Sequence, residues 1–382
     1  MTNAAAEPAQ AAPINLPAAI LFSLSTGAVL TVFPWYAWTH HLSLGAWVFF
    51  AVCMWATGLS ITAGYHRLWS HRTYEAHWSV RLFYMLFGAM ALQNSILIWG
   101  SSHRVHHKNV DDIDHDPYSI KRGFWYAHMG WMLRNYPSSN QDFSNARDLE
   151  QDPIVAFQHR YYLAVALGMN FGFPLLVGAV FHDPWGFLLL GGLLRLVVNH
   201  HFTFFINSLA HYWGRRPYTA ENTARDNDLI AFFTYGEGYH NFHHLFQWDY
   251  RNGVRWWQFD PTKWWIAGLS AMGLTYSLKR VPEFKIQRAM LQRQFERARE
   301  RLSSCKHPGR LEVLQKLLEH ELEAFSLTLN EWKNLQSERI EAARRQLADQ
   351  WENSEVRRRF RALEEKLRLQ RQRVRLLRLQ TA

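Results

Sequence analysis

Four stretches of the chain, at about 17–38, 43–64, 161–182 and 185–208, run for roughly 20 mostly apolar residues each, the length a helix needs to cross about 30 Å of hydrocarbon. Lipid offers no hydrogen bonds, so such stretches must satisfy their own backbone groups and fold as helices. They form two hairpins, joined by "THHLS" (39–43) and "HDP" (182–184). Neither connector contains Lys or Arg, whereas 66–160 is rich in basic residues. That asymmetry puts the connectors outside, with both termini and 66–160 on the cytoplasmic side. Arg195 lies within the fourth stretch and is expected to point into the bundle, because facing lipid would be costly. The expected fold is an all-α integral membrane protein with four transmembrane helices in two hairpins. It would carry a cytoplasmic domain and amphipathic interfacial helices.

The mean hydropathy of −0.26 hides two unlike parts. Residues 1–65 contain no Lys or Arg, and apolar and aromatic residues dominate to about 275. The rest, 283–382, is thick with Arg, Glu, Gln and Leu. Positions 351–382 alone hold ten basic residues against four Glu. Apolar residues at 311, 314, 318, 322, 325, 329 and 332, then 340, 343, 347 and 351, follow three-four spacing, which predicts helices. "SSCKHPGR" (303–310) separates a shorter helix (283–302) from one or two longer ones. A coiled coil or helical hairpin is the expected form, for self-association or partner docking. The Arg-rich end could instead lie against anionic lipid. Nucleic acid is not expected as a partner, since basic charge comes without a reading motif. Cys53 sits in an apolar run and Cys305 in the charged tail, so no disulfide framework is expected. "MTNAAAEPAQAAP" lacks the basic region of a signal peptide, and 1–14 reads as a disordered leader.

Histidines fall in four clusters: "HRLWSH" (66–71), "HRVHH" (103–107), "NSLAH" (207–211) and "HNFHH" (240–244). Positions i, i+3 and i+4 share a helix face, so His103, His106 and His107 point one way, as do His240, His243 and His244. His66 and His71, five apart, suit a helix end turning into the next segment. His211 ends the fourth stretch, with Asn207 one turn earlier. All four clusters lie at or just beyond the cytoplasmic ends of apolar segments, where they can converge. Neutral imidazole is the commonest metal ligand near neutral pH. Nine such groups exceed what one metal accepts, so two metals are expected. Zinc fits less well than iron, because structural zinc closes with four ligands that are often thiolates. His40, His41, His77, His115, His128, His159, His182, His200 and His201 lack the spacing and are expected to be structural or supporting. If the clusters share one site, 78–99 cannot cross the membrane and must be a buried or interfacial helix. "GFWYAHMGWML" (123–133) reads as an amphipathic helix at the interface.

"HRLWSHRTYEA", "HRVHH", "RGFWYAHMGWML", "NSLAH", "GEGYHNFHH" and "YRNGVRWWQFDPTKWWI" resemble the integral-membrane fatty acyl desaturases, the stearoyl-CoA (delta-9) type in particular, over about 15–280. The member looks bacterial, which would place it in an inner membrane. The resemblance implies nine histidine ligands to two irons. One iron would take His66, His71, His103, His107 and His243; the other would take His106, His211, His240 and His244. Asn207 would act through water. It implies an acyl tunnel bent beside Gln93, Trp99 and Thr203, and a head-group contact at Asn94. Its blind end would lie between the first two spans, with Phe50 or Met54 limiting chain length. Two head-group positions depart from the animal pattern: Ser101 stands where a basic residue is usual, and Arg134 is followed by Asn135. An acyl carrier protein or a phospholipid therefore stands beside coenzyme A as a possible carrier.

The implied reaction uses O₂ and two electrons to set a cis double bond into a saturated chain. An unactivated methylene offers no polar handle, so position alone must choose the carbon. Glu237, Asp111, Asp112, Asp114 and Asp116 are candidates to orient the imidazoles. No Gly-rich nucleotide fingerprint or Cys cluster is present, so electrons would come from a ferredoxin, a rubredoxin, or a cytochrome b5-like protein with its reductase. "HPGR" (307–310) is read as a helix break, not a haem motif. An acyl-lipid desaturase and a membrane di-iron hydroxylase are alternatives. A histidine-rich metal transporter would instead need ligands deep along the spans.

Overall fold

A computed structural model of the chain describes residues 12–139, 142–303, 308–344 and 355–380. The leader expected over 1–14 therefore lies outside the described residues as far as position 11. The chain divides into two compact units. One comprises the residues to Arg215 with Asn222–Arg280, and the other comprises Arg216–Glu221 with the residues from Val281 on.

Among the described residues of the first unit four helices are long and apolar enough to span a membrane: Leu16–Thr39, Leu44–Ser70, Tyr162–Val180 and Pro184–Tyr212. Leu24, Leu30, Trp38, Leu176 and Val180 are exposed along them, as a lipid-facing surface requires. At one end the two hairpins are pinned together. Ser43 accepts from Ala46 N (3.2 Å) to start the second span and donates to Asp183 Oδ2 (2.7 Å), which heads the fourth. Arg195 is fully buried and points into the bundle. It donates to Met90 O (2.8 Å) and Gly191 O (3.0 Å) and bonds the Asn170 side chain. Asn170 and Gly191 belong to π-helical turns, Gly168–Gly172 and Leu188–Leu194, and such turns free backbone carbonyls from the regular ladder.

The second and fourth helices have 27 and 29 residues, or about 40 Å at 1.5 Å per residue, so both overshoot the hydrocarbon. The overshoot of the second is π-helical from Ser60 to Ser70. There His71 N bonds His66 O, five residues back, at 3.1 Å. That widened turn brings His66 and His71 onto one side, with ring centroids 4.8 Å apart. A regular α-helix would set residues five apart on divergent faces.

Residues 78–99 do not form one rod. Helix Trp78–Ala89 stops, the chain turns through Leu92 and Asn94 with positive φ (50° and 73°), and a new helix, Ile96–Lys108, carries the 103–107 cluster. Twelve residues are too short to cross. The amphipathic helix expected at 123–133 is likewise two pieces, Phe124–His128 and Gly130–Met132, broken at Met129. A two-stranded antiparallel ladder, Glu75–Ala76 with Thr275–Tyr276, closes the unit by pairing the stretch just after the second span with its last segment.

Among the described residues the second unit contains three helices, Glu283–Leu302, Pro308–Arg344 and Glu355–Gln380. They share one core of Phe284, Leu291, Phe295, Leu314, Leu318, Phe325, Trp332, Leu363, Leu367 and Val374. Phe284 stacks flat on Trp332 at 4.0 Å. A shorter helix followed by two longer ones is one of the arrangements that the spacing allowed. The break predicted at 303–310 falls mostly on 304–307, and the apolar positions 347 and 351 also lie outside the described residues.

Close approach tests this packing. A Cβ at Gly58 would meet the Tyr235 ring at 2.2 Å, whereas one at Gly27 meets nothing within 4 Å. Gly58→Ala should destabilise by about 1–3 kcal/mol through overpacking, while Gly27→Ala should be neutral or slightly stabilising. Melting of the two variants in detergent checks both.

Candidate metal centre

The nine clustered histidines come together in two groups. His66, His71, His103, His107 and His243 form one, and His106, His211, His240 and His244 form the other. Within each, one ring nitrogen per residue lies within 4.8 Å of those of the others. The division is the one implied by the resemblance. Four separate pieces of chain supply them: the π-helical end of the second span, helix Ile96–Lys108, the turn Leu209–Tyr212 after the fourth span, and the short helix His240–Leu245.

The rings face one another through Nε2. The separations are 3.0 Å for His66 and His243, 3.0 Å for His243 and His107, and 2.8 Å for His71 and His103. In the other group they are 3.1 Å for His211 and His240, and 3.0 Å for His240 and His244. The far nitrogens are held from outside. His66 Nδ1 donates to Glu237 Oε2 (2.9 Å) and His106 Nδ1 to Asp116 Oδ1 (2.8 Å). His211 Nδ1 pairs with Thr223 Oγ1 (2.8 Å), which donates to Asp111 Oδ1 (2.5 Å). A ring that spends its N–H outward turns a lone pair inward. Burial, reinforced by the neighbouring imidazoles, lowers the pKa of His71, His103, His107, His243 and His244 well below the usual value, and that of His240 to about 3. Convergent neutral imidazoles with lone pairs 3 Å apart repel unless a cation lies among them. The donor set therefore fits two metal ions, and outer hydrogen bonds of this kind are how ligating histidines are oriented.

Glu237 is buried between His66 and Arg67. Burial alone would raise its pKa, but its interactions with His66 and with the Arg67 guanidinium prevail and hold it down at about 2. Arg67 donates to Glu237 Oε1 (2.9 Å), to Asp260 Oδ1 (3.0 Å) and to Tyr250 O (2.8 Å), and Asn252 Nδ2 donates to Glu237 Oε2 (2.7 Å). Of the acidic residues singled out in the sequence, Glu237, Asp111 and Asp116 reach the histidine layer, while Asp112 and Asp114 lie exposed on a loop. Thr223, Arg67, Asp260 and Asn252 were not foreseen. Only Arg67, a charge beside a box histidine at the end of an apolar helix, carried a signal that could have marked it.

A cavity of about 430 Å³ abuts the layer. His66, His103, His106 and His240 form part of its wall, as do Gln93, Asn94, Trp99, Thr203 and Asn207. Gln93 Nε2 donates to Thr203 Oγ1 at 2.9 Å, and the Trp99 ring stacks on His103 with centroids 4.9 Å apart. Phe50 and Met54 are not among the lining residues. Phe50 packs against a separate cluster around Phe49 and Phe187, and Met54 is buried with its carbonyl accepting from Tyr235. The first two spans meet this cavity instead through Pro17, Ala18, Leu21 and Phe22, and through Ile61 and Thr62. Ser101 is buried and donates to Asn145 Oδ1 (2.7 Å). Arg134 and Asn135 line the cavity, where Arg134 Nη1 donates to Ala12 O (2.6 Å) and Asn135 N to Pro13 O (2.8 Å).

Comparison with known proteins agrees with this geometry. The family model described as Fatty acid desaturase matches residues 41–280. Acyl-CoA desaturase 1 of Saccharomyces cerevisiae is 47% identical over 238 residues, 62% of this chain and 46% of that protein. The probable acyl-CoA desaturase of Schizosaccharomyces pombe is 43% identical over 274 residues, 72% of this chain and 56% of that protein. Stearoyl-CoA desaturase 5 of Bos taurus is 37% identical over 247 residues, 63% of this chain and 72% of that protein. The chain spans about half the length of the two yeast relatives. The bacterial look expected from the sequence is not borne out, since these relatives are eukaryotic. With the family model covering well over half of its length, the chain belongs to the fatty acid desaturase family.

Proposed function

We propose that this protein is an O₂-dependent desaturase that sets a cis double bond at carbon 9 of a saturated long-chain acyl-CoA. The observation that carries the reading is the juxtaposition of two histidine groups with a largely apolar cavity whose wall they complete. The relatives named as acyl-CoA and stearoyl-CoA desaturases support the substrate, and the bond position is that of the delta-9 type which the sequence resembles. When bound, two iron ions would supply the oxidising power that removing hydrogen from an unactivated methylene demands. His66, His71, His103, His107 and His243 would hold one, and His106, His211, His240 and His244 the other, with Asn207 reaching the second through water.

The protein's own part is position and dryness. Glu237 and Asp116 keep His66 and His106 turned inward by their Nδ1 protons. Gln93, Thr203 and Trp99 form a polar and aromatic corner beside the histidines that holds the chain bent, and Asn94 lies near its head-group end. Electrons come from an outside carrier of the ferredoxin, rubredoxin or cytochrome b5 kind. The histidine layer lies on the cytoplasmic side, by the charge asymmetry of the connectors.

Two measurements test this. A fatty acid profile of a desaturase-deficient host expressing the chain should gain a cis-9 monoene that His106→Ala abolishes; a hydroxylated product would overturn the reading. Asp116→Ala should weaken retention of the metal held by the four-histidine group by about 10–100-fold. Elemental analysis after a chelator wash should then find close to one metal where the wild type keeps two.

A further inference from the structure

Three successive contacts join the turn at 90–93 to the fourth span. Arg195 Nη1 donates to Met90 O (2.8 Å), His200 Nε2 donates to Ala91 O (2.8 Å), and Gln93 Nε2 donates to Thr203 Oγ1 (2.9 Å). The turn needs holding, because Leu92 and Asn94 both sit in the left-handed region, which side chains other than glycine occupy at a cost. It also matters for the site. Leu92, Gln93 and Asn94 line the cavity, and Ser95, directly after, caps the helix that carries His103, His106 and His107. The turn therefore sets where the cavity bends and where those three histidines stand along it.

His200 forms part of the cavity wall, as the Gln93–Thr203 pair does and Arg195 does not. Its ring is buried, edge-on to Phe22 (5.5 Å) and stacked on Phe204 (5.4 Å), two further lining residues. A carbonyl can only accept, so the Nε2 proton is committed to Ala91 and the ring is fixed at three points. We infer that His200 is a positioning residue for the bond-forming step. By holding Ala91 it fixes the bend of the acyl cavity relative to the histidine layer, and with it the carbon that is oxidised. The inference rests on the desaturase reading above. A leucine here would fill the space but leave the Ala91 carbonyl without its donor and free the turn to relax. A glutamine can reach the same carbonyl.

The test is a positional analysis of monoenes, by derivatisation and mass spectrometry, from full-length wild type, His200→Leu and His200→Gln in a desaturase-deficient host. A candidate electron carrier is co-expressed, and melting temperature and metal content are measured on the purified proteins. Wild type should give one isomer. His200→Leu should raise the share of off-position isomers at least tenfold while keeping its metal, and His200→Gln should restore the wild-type pattern. His200→Leu making the single wild-type isomer overturns the inference and leaves the desaturase reading intact. Loss of metal or of melting temperature in both variants, with no change of isomer, overturns it as well by reducing His200 to a packing role. A wild type that yields only an alcohol, or nothing with any carrier, sinks the desaturase reading first, and the inference falls with it.

Discussion

Arg67 is the residue on which the histidine layer rests. Its guanidinium is 1% exposed and shared between Glu237 and Asp260, with a further bond to the Tyr250 carbonyl. It follows His66 directly, Glu237 precedes His240 by three residues, and Asp260 caps helix Pro261–Ala271. One buried charge thus joins the first histidine cluster, the last one and the segment that closes the unit. Breaking such a pair from one side leaves uncompensated charge in the interior, at a cost of about 3–5 kcal/mol. The same network keeps Glu237 ionised, and an ionised Glu237 keeps the His66 ring oriented. Stability and site geometry therefore share one set of contacts.

The spans were legible because apolar length is a direct physical requirement of the bilayer, and their observed ends differ from the expected ones by only a few residues, except where the second helix runs on to Ser70 and the fourth to Tyr212. The histidines were legible because helical spacing fixes which side chains share a face. What spacing could not convey is what comes from distant chain. Thr223 reaches His211 only because a loop returns to the end of the fourth span, and Asp260 reaches Arg67 across nearly two hundred residues. Asp111 and Asp116 look like Asp112 and Asp114 in the sequence, and only the fold of that loop separates those that turn inward from those that face solvent. That Phe50 and Met54 do not line the cavity has a related reason: along an apolar helix, a residue that lines a cavity and one that packs against a neighbour have the same character.

The charged tail shows how little apolar content a helix needs once it has partners. Glu355–Gln380 is crowded with Arg, yet Leu363, Leu367 and Val374 are spaced to lie on one stripe and are buried in the shared core. Its remaining faces keep their charge. A hairpin would have left one of the three stripes uncovered, and the third helix removes that exposure within a single chain.

The π-helical end of the second span can be viewed as a phase shifter. In an α-helix each residue advances the angular position by about 100°, so one residue more or less rotates everything downstream away from its partners. The wide turn between Ser60 and Ser70 absorbs such an offset and lets a span whose outer part is set by lipid deliver His66 and His71 in step with rings from three other segments. Length changes in this stretch are therefore changes to the metal ligands themselves, even where no histidine is touched. Of the whole second span, these eleven residues should be the least tolerant of insertion or deletion and the lipid-facing turns before them the most.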